Sequence, residues 1–399
     1  MPINNYGLRT PLYAQATTGN SLVKSAKLLL YNDGTLIYTI VKDVVTNVPV
    51  VFEVAELLRD YLDVTISDSF AAPVPQKITF TSTITFYSEI NAGGTAVGSP
   101  VSTLSGDGYE GYSKFIDGAN SSIPYANRAS NQNTWLLAER TPATASAYDD
   151  FYIYVPNNIS GYAGAMSSAG VISYIPYSST DTSLTIGSVP LVINRIDCTK
   201  YGVGTKVTFM NRFGVLQDLW FFLKKVKQIS KSNESYQANT LLPDATYSQS
   251  NPTVKLLNTK AKQSRTLSSG YYPEWTNAYF EELLLSENVW ITREKVQQPN
   301  TPEIIPVMVK TSNMTYKTSL NDRLIEYTID FEDAFDYIQL YIESERLDLF
   351  KDETVSLTQT IQNIKQLDKV FTAFTKTFSV PASKTNNKIF QHYYNFNIV

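Results

Sequence analysis

The stretch ITFTSTITFY, Ile78 to Tyr87, decides the fold class. Ile78, Phe80, Ile84 and Phe86 alternate with Thr79, Thr81, Ser82, Thr85 and Tyr87. Successive side chains of a strand point to opposite faces, so this period of two predicts a strand buried on one face. Upstream, residues 26–31 and 35–41 are two further apolar runs joined by Asp33-Gly34, a pair suited to a tight hairpin turn. Between hairpin and strand the period changes. Phe52, Ala55, Leu58 and Leu62 fall on one helical stripe while Glu53, Glu56, Arg59 and Asp60 face elsewhere, which predicts a short helix near 52–62 covering the sheet. Downstream of Gly93-Gly94, residues 99–133 are rich in Gly, Ser and Asn and read as long loops with short strands.

Strand-like runs then recur at 151–155, 171–175, 184–186 and 191–196, a spacing typical of a sandwich or barrel. Residues 206–210 and 219–223 flank Asn211-Arg212-Phe213-Gly214, a turn between two strands. After Lys231 a polar stretch through Asn251 reads as an exposed connection or a long hairpin. Pro273 can occupy a first helical turn, and Trp275, Tyr279 and Leu283 stack at four-residue spacing, predicting a helix near 273–286. Strands at 289–292, 307–310 and 324–331 surround it. The expected architecture is mainly β with minor α: an antiparallel β-sandwich-like unit over 1–230, an α+β module over 231–344, and a C-terminal β segment or assembly arm over 345–399.

Composition supports strands over long solvated helices. Charged residues make up 18% of the 399, below the roughly 25% of an average soluble chain, while Tyr (27) and Phe (19) are abundant and fit a pleated, half-buried surface. The net charge of −4 lacks the basic excess that phosphate neutralisation demands, so direct nucleic-acid binding is not expected. No apolar run approaches a membrane span or a secretory h-region. Cys198, the one cysteine, fits a small buried hydrophobe in a reducing cytoplasm.

Catalytic chemistry finds little to work with. One histidine, His392, and one cysteine cannot build a zinc, His-Cys or multi-histidine constellation within the chain, so neither cofactor nor metal is expected. Asp149 and Asp150 are adjacent, and in a regular strand they would point to opposite faces rather than flank one glycosidic bond. Glu281 and Glu282 on the helix, and Glu332, Asp333 and Asp336 after a strand, read as surface charges. Gly202-Val203-Gly204-Thr205-Lys206 lacks the phosphate-loop spacing and reads as a turn. The chain is expected not to be an enzyme.

The last fifty residues carry the most specific text, FTAFTKTFSVPASKTNNKIFQHYYN, starting at Phe371. It resembles a segment of large virion structural proteins from tailed bacteriophages of Bacteroidetes, of the crAss-like and marine phage type. FEVAELLRDYL from Phe52, NRFGVLQDLWFF from Asn211, SGYYPEWTNAYFEELLLSENVWIT from Ser269 and LNDRLIEYTIDFEDAFDYI from Leu320 are similar to the same kind of protein, in the same order. The resemblance implies a tail, hub or neck subunit located in the virion and made in the host bacterial cytoplasm. It implies other phage tail or neck proteins and further copies of this chain as partners, and it transfers no catalytic residues. Such relatives continue into another β-rich region after the Asn-Asn-Lys motif, whereas this sequence stops at Val399. A processed product, a portion of a longer protein and a shorter member of the family all fit that difference.

The residues favour assembly on their own terms. Phe371, Phe374, Phe378, Phe390, His392, Tyr393, Tyr394 and Phe396 are the interface candidates, because so aromatic a segment is costly to leave in water. The competing reading is a receptor- or carbohydrate-binding tail protein contacting a host surface glycan. It would use the loops at 106–133 and place Tyr109, Tyr112 and Tyr125 in an open concave surface.

Overall fold

The computed structural model describes residues 4–66, 73–120, 134–136, 151–167, 171–186, 189–197, 204–239, 246, 248–295, 298–316 and 324–335, all within one compact unit, Met1–Tyr337. The first 120 residues form β1 (Asn5–Gly7), β2 (Tyr13–Ala16), β3 (Ser25–Asn32), β4 (Thr35–Asp43), β5 (Val50–Glu53), α1 (Ala55–Arg59), β6 (Ile78–Tyr87) and β7 (Val101–Tyr109). They build a five-stranded sheet in the order β1-β7-β6-β3-β4 and a small β2-β5 sheet. A middle section supplies β8 (Thr134–Leu136), β9 (Phe151–Pro156), β10 (Gly161–Ser167), β11 (Ile172–Tyr177), β12 (Ser183–Ile186) and β13 (Val189–Ile196), arranged as two three-stranded sheets. The last section contributes β14 (Thr205–Met210), β15 (Leu216–Phe221), β16 (Lys225–Gln237), β17 (Val254–Ser268), β18 (Tyr272–Pro273), α2 (Asn277–Leu285), β19 (Val289–Lys295), β20 (Gln298–Val309), β21 (Leu324–Ile325) and β22 (Thr328–Asp333). Its main feature is an antiparallel seven-stranded sheet, β15-β14-β19-β20-β22-β17-β16. The mainly β fold with minor α is therefore as expected.

The strand at 78–87 buries Ile78, Phe80, Ile84 and Phe86 as its alternation requires. Ser82 belongs to that buried face rather than to the threonine side, and its hydroxyl donates to Leu104 O at 2.9 Å beside a register shift at Ser82/Thr83. Asp33 and Gly34 take φ of 45° and 78° in the β3–β4 turn, the paired positive values of a tight hairpin.

Several expectations need correction. The helix near 52–62 is shorter: residues 50–53 pair with β2, and only Ala55–Arg59 is helical. Phe52 is buried from a strand, and the Val54 N–H is bonded to Leu12 O at 2.9 Å, which delays the helix. Residues 101–109, inside the stretch read as long loops with short strands, are a nine-residue strand. Gly106 hides that strand in the sequence for a packing reason, since a Cβ there would stand 2.1 Å from the Asn4 carbonyl oxygen. The boundary at 230/231 falls inside β16, and the seven-stranded sheet takes β14 and β15 from one side of it and four strands from the other. β14 pairs with both β15 and β19, so the sheet crosses that boundary. The strand expected at 324–331 is two strands, β21 and β22.

The helix near 273–286 is present as a 3-10 turn, Glu274–Thr276, running into α2. Phe280 lies fully buried at its centre, with ring centroids 5.5 Å from Tyr272, 4.8 Å from Tyr327 and 6.4 Å from Phe221. This aromatic knot joins α2 to the large sheet, whose core also takes Val155 and Ile193 from the middle section. The C-terminal segment 345–399 lies outside the described residues.

Candidate functional site

Two features stand out, one holding the unit together and one reaching away from it. The first is a seam between the N-terminal sheet and the α2 region. Residues 109–112 thread it: Leu8 N and Arg9 N donate to the Tyr109 and Gly111 carbonyls, and Tyr112 N donates to Arg212 O, each at 2.9 Å. Gly111 is required by this close approach, because a Cβ would sit 2.4 Å from Arg212 O.

Arg212 occupies the turn between β14 and β15. Asn211 shapes that turn, its Oδ1 accepting from the N–H groups of Phe213 and Val215 at 3.0 Å each, and Gly214 closes it at φ 76°. The result drives the Arg212 side chain into the seam, fully buried, where it pairs with Asp117 at 2.7 Å and lies over the Tyr112 and Phe213 rings. Its backbone N–H donates to Glu282 Oε2 at 3.3 Å. A second cluster lies nearby. Arg59 forms a fork on Glu110, also reaches Glu287, and Arg9 bonds Glu287 from the other side at 3.2 Å. Burial alone would raise the Glu287 carboxyl, but Arg59 and Arg9 outweigh it and hold it below its ordinary value.

Glu282 and Asp333 thus depart from the surface role expected of them. Glu282 is buried against Arg212, and Asp333 is buried within β22 in a bidentate pair with Arg265. Burial pushes the Glu282 carboxyl up to about 7, against the downward pull of the Arg212 N–H, the Arg212 guanidinium and Lys114. Between 4.5 and about 7 the folded chain keeps a proton that the unfolded chain releases. Stability therefore falls as pH rises through that window, by about 3 kcal/mol once above it. Glu282→Gln should be close to neutral at pH 5, more stable than wild type at pH 8, and flatter in between, measured as urea midpoints across pH. An unchanged pH slope in the variant would show that Glu282 does not titrate in this window.

The second feature is the β16–β17 hairpin. β17 pairs with β22 only over Ser264–Ser268, whereas its pairing with β16 continues from Ile229↔Gln263 out to Gln237↔Val254. Among the described residues nothing else pairs with those outer nine positions, so a two-stranded arm runs about 30 Å past the last β17–β22 pair at 3.3 Å per residue, with Ala261 and Gln263 buried at its base. All thirteen residues of β16 are exposed. Val226, Ile229, Tyr236, Val254, Leu256 and Leu257 are exposed along it, Leu257 (71%) being the extra residue at a bulge opposite Glu234/Ser235. The hairpin as a whole is also basic: residues 224–268 hold seven lysines and Arg265 against Glu234 and Asp244, a net charge of +6 in a chain of net −4, of which the outer residues 229–263 carry +2.

The interface candidates at 371–396, His392 among them, lie outside the described residues, as do Cys198, Tyr125, Asp149, Asp150 and Asp336. Tyr109 is buried with Ile172, Phe213 and Val215, and Tyr112 is half-buried beneath the Arg9 and Arg212 guanidiniums. Neither ring offers an open stacking face. A hollow of about 280 Å³ lies between Leu284, Asn313, Met314 and Thr328, but the Tyr327 hydroxyl at its wall is already bonded to Asn277 and Thr315 O. Among the described residues no group of three or more His, Cys, Asp or Glu side chains is placed to hold a metal, and no helix is long and apolar enough to cross a membrane. No protein-family model matches this chain, and no curated protein or solved structure shows significant similarity to it.

Proposed function

We propose that this chain is a non-enzymatic structural component of a tailed bacteriophage virion, a tail, hub or neck subunit that assembles into a symmetric ring or tube. The observation that carries the reading is the β16–β17 arm. An isolated two-stranded ribbon is marginal in water, and an exposed edge with large apolar side chains is an aggregation hazard unless a partner covers it. An arm of this length is therefore functional only when docked. The sequence resemblance to virion proteins supports the same reading. The glycan-binding alternative loses two of the three tyrosines it would stack on, because both lie within the seam.

Shortening the arm tests this. Ser232 and Lys260 face each other across the ribbon, so replacing residues 233–259 by Asn-Gly joins them through a two-residue turn and leaves the seven-stranded sheet intact. The full-length wild type should sediment as a defined oligomer at micromolar concentration. The shortened variant should sediment as a monomer with an unfolding midpoint close to that of wild type. A wild type that remains monomeric at every concentration, alone and with other tail proteins, would sink the proposal.

A further inference from the structure

We propose that the outer edge of β16 in one copy adds to the outer edge of β4 in a second copy, joining the seven-stranded sheet of one subunit to the five-stranded sheet of the next. This rests on the assembly reading and names the surface that receives the arm. Each large sheet ends in two edge strands. One edge of each is closed, since β1 is a buried three-residue strand and β15 is buried along most of its length. The other edges, β4 with nine residues and β16 with thirteen, are long and largely exposed, and among the described residues no strand pairs with their outer sides. Unpaired backbone N–H and C=O groups in such rows are templates for another strand.

The two edges differ in character in a complementary way. The hairpin that carries β16, residues 224–268, is net +6, whereas residues 1–120, which carry β4, hold eleven carboxylates against seven cations, net −4. Asp33 lies in the turn that leads into β4, Asp43 ends the strand beside Lys42, whose ammonium is bonded to Val51 O at 2.7 Å, and Asp60 accepts from the Tyr38 hydroxyl in the strand's middle. Opposite them, Lys227 and Lys231 stand on the same face of β16 with Ile229 between them. Exposed apolar side chains accompany both edges: Leu36, Val41 and Tyr61 beside β4, and Val226, Ile229 and Tyr236 on β16. Like-charged edges would repel, so pairing β16 with a second β16 is disfavoured and β4 is preferred. Because the two edges differ and lie on different sheets of one subunit, the contact is head-to-tail. Repeating it closes a ring or extends a tube according to the rotation between copies.

The test uses the full-length protein, half of it labelled with ¹⁵N. Hydrogen exchange should show residues 35–43 and 225–237 gaining protection together, by at least about tenfold, on going from dilute to assembled protein. Zero-length carbodiimide coupling should then join Lys227 or Lys231 of one isotopic form to Asp33, Asp43 or Asp60 of the other. K227E/K231E should weaken self-association at least about tenfold without moving the unfolding midpoint, and adding D33K/D43K should restore part of it. Assembly with β4 exchanging as fast as in the monomer would overturn this pairing while leaving the assembly reading in place. Protection of β16 already present in the monomer would show the edge covered by the chain's own residues 338–399 and would equally overturn it. So would an arm that binds duplex DNA at physiological salt in preference to a second copy. Absence of any assembly would remove both readings.

Discussion

Arg212→Ala should destabilise the unit by about 3–5 kcal/mol at pH 8, the cost of removing one partner from a buried charge cluster. Asp117 would lose its 2.7 Å ion pair, Glu282 its neighbouring cation, and the Tyr112 and Phe213 rings the guanidinium they pack against. Most of the loss comes from the carboxylates left behind rather than from the contact itself. The same substitution in a Glu282→Gln background should therefore cost distinctly less. A double-mutant cycle in urea at pH 8 measures the difference, with additivity of the two changes showing that the pair is not coupled. Arg212→Lys keeps a charge but not the planar fork, and should fall between wild type and alanine.

Phe280→Ala should cost a similar amount, about 3–5 kcal/mol, for a different reason. The side chain is fully buried where α2 meets the seven-stranded sheet, touching Phe221, Tyr272 and Tyr327. Those rings are anchored elsewhere: the Tyr272 hydroxyl donates to Trp220 O at 2.7 Å, and that of Tyr327 to Asn277 Oδ1 at 2.6 Å. They cannot collapse into the space, so the cavity term adds to the lost transfer free energy. Phe280→Leu, which fills most of the volume, should recover more than half of the loss. Neither substitution lies on the arm, so assembly of the surviving folded fraction should be unaffected. Sedimentation below the unfolding midpoint checks this.

Strands buried on one face were legible wherever alternation was clean, as at 78–87, and the Asp33-Gly34 and Asn211–Gly214 turns were legible because their residue types serve a specific backbone geometry. β7 was not. Its glycines look like loop punctuation, and only the proximity of Asn4 and Leu8 explains why no side chain fits. The arm was visible only as a polar stretch with a long hairpin among its possible forms. β16 is exposed along its whole length and carries no clean apolar period to betray its strand, and its register came from pairing alone.

The amino-acid order by itself therefore determined a β-rich chain with one clear helix in its later half, tight turns at two named places, and too little histidine and cysteine for familiar metal or nucleophile chemistry. Tertiary structure decided which carboxylates are buried, since Glu281 and Glu282 are neighbours in sequence and on one helix, yet only Glu282 is buried against Arg212. It also decided that strands on both sides of residue 230 share one sheet, and that a net-acidic chain gathers a net charge of +6 on one hairpin, residues 224–268. The physical reason is common to all three. Burial, sheet membership and local field depend on which distant segments meet, and composition or local period does not encode that meeting.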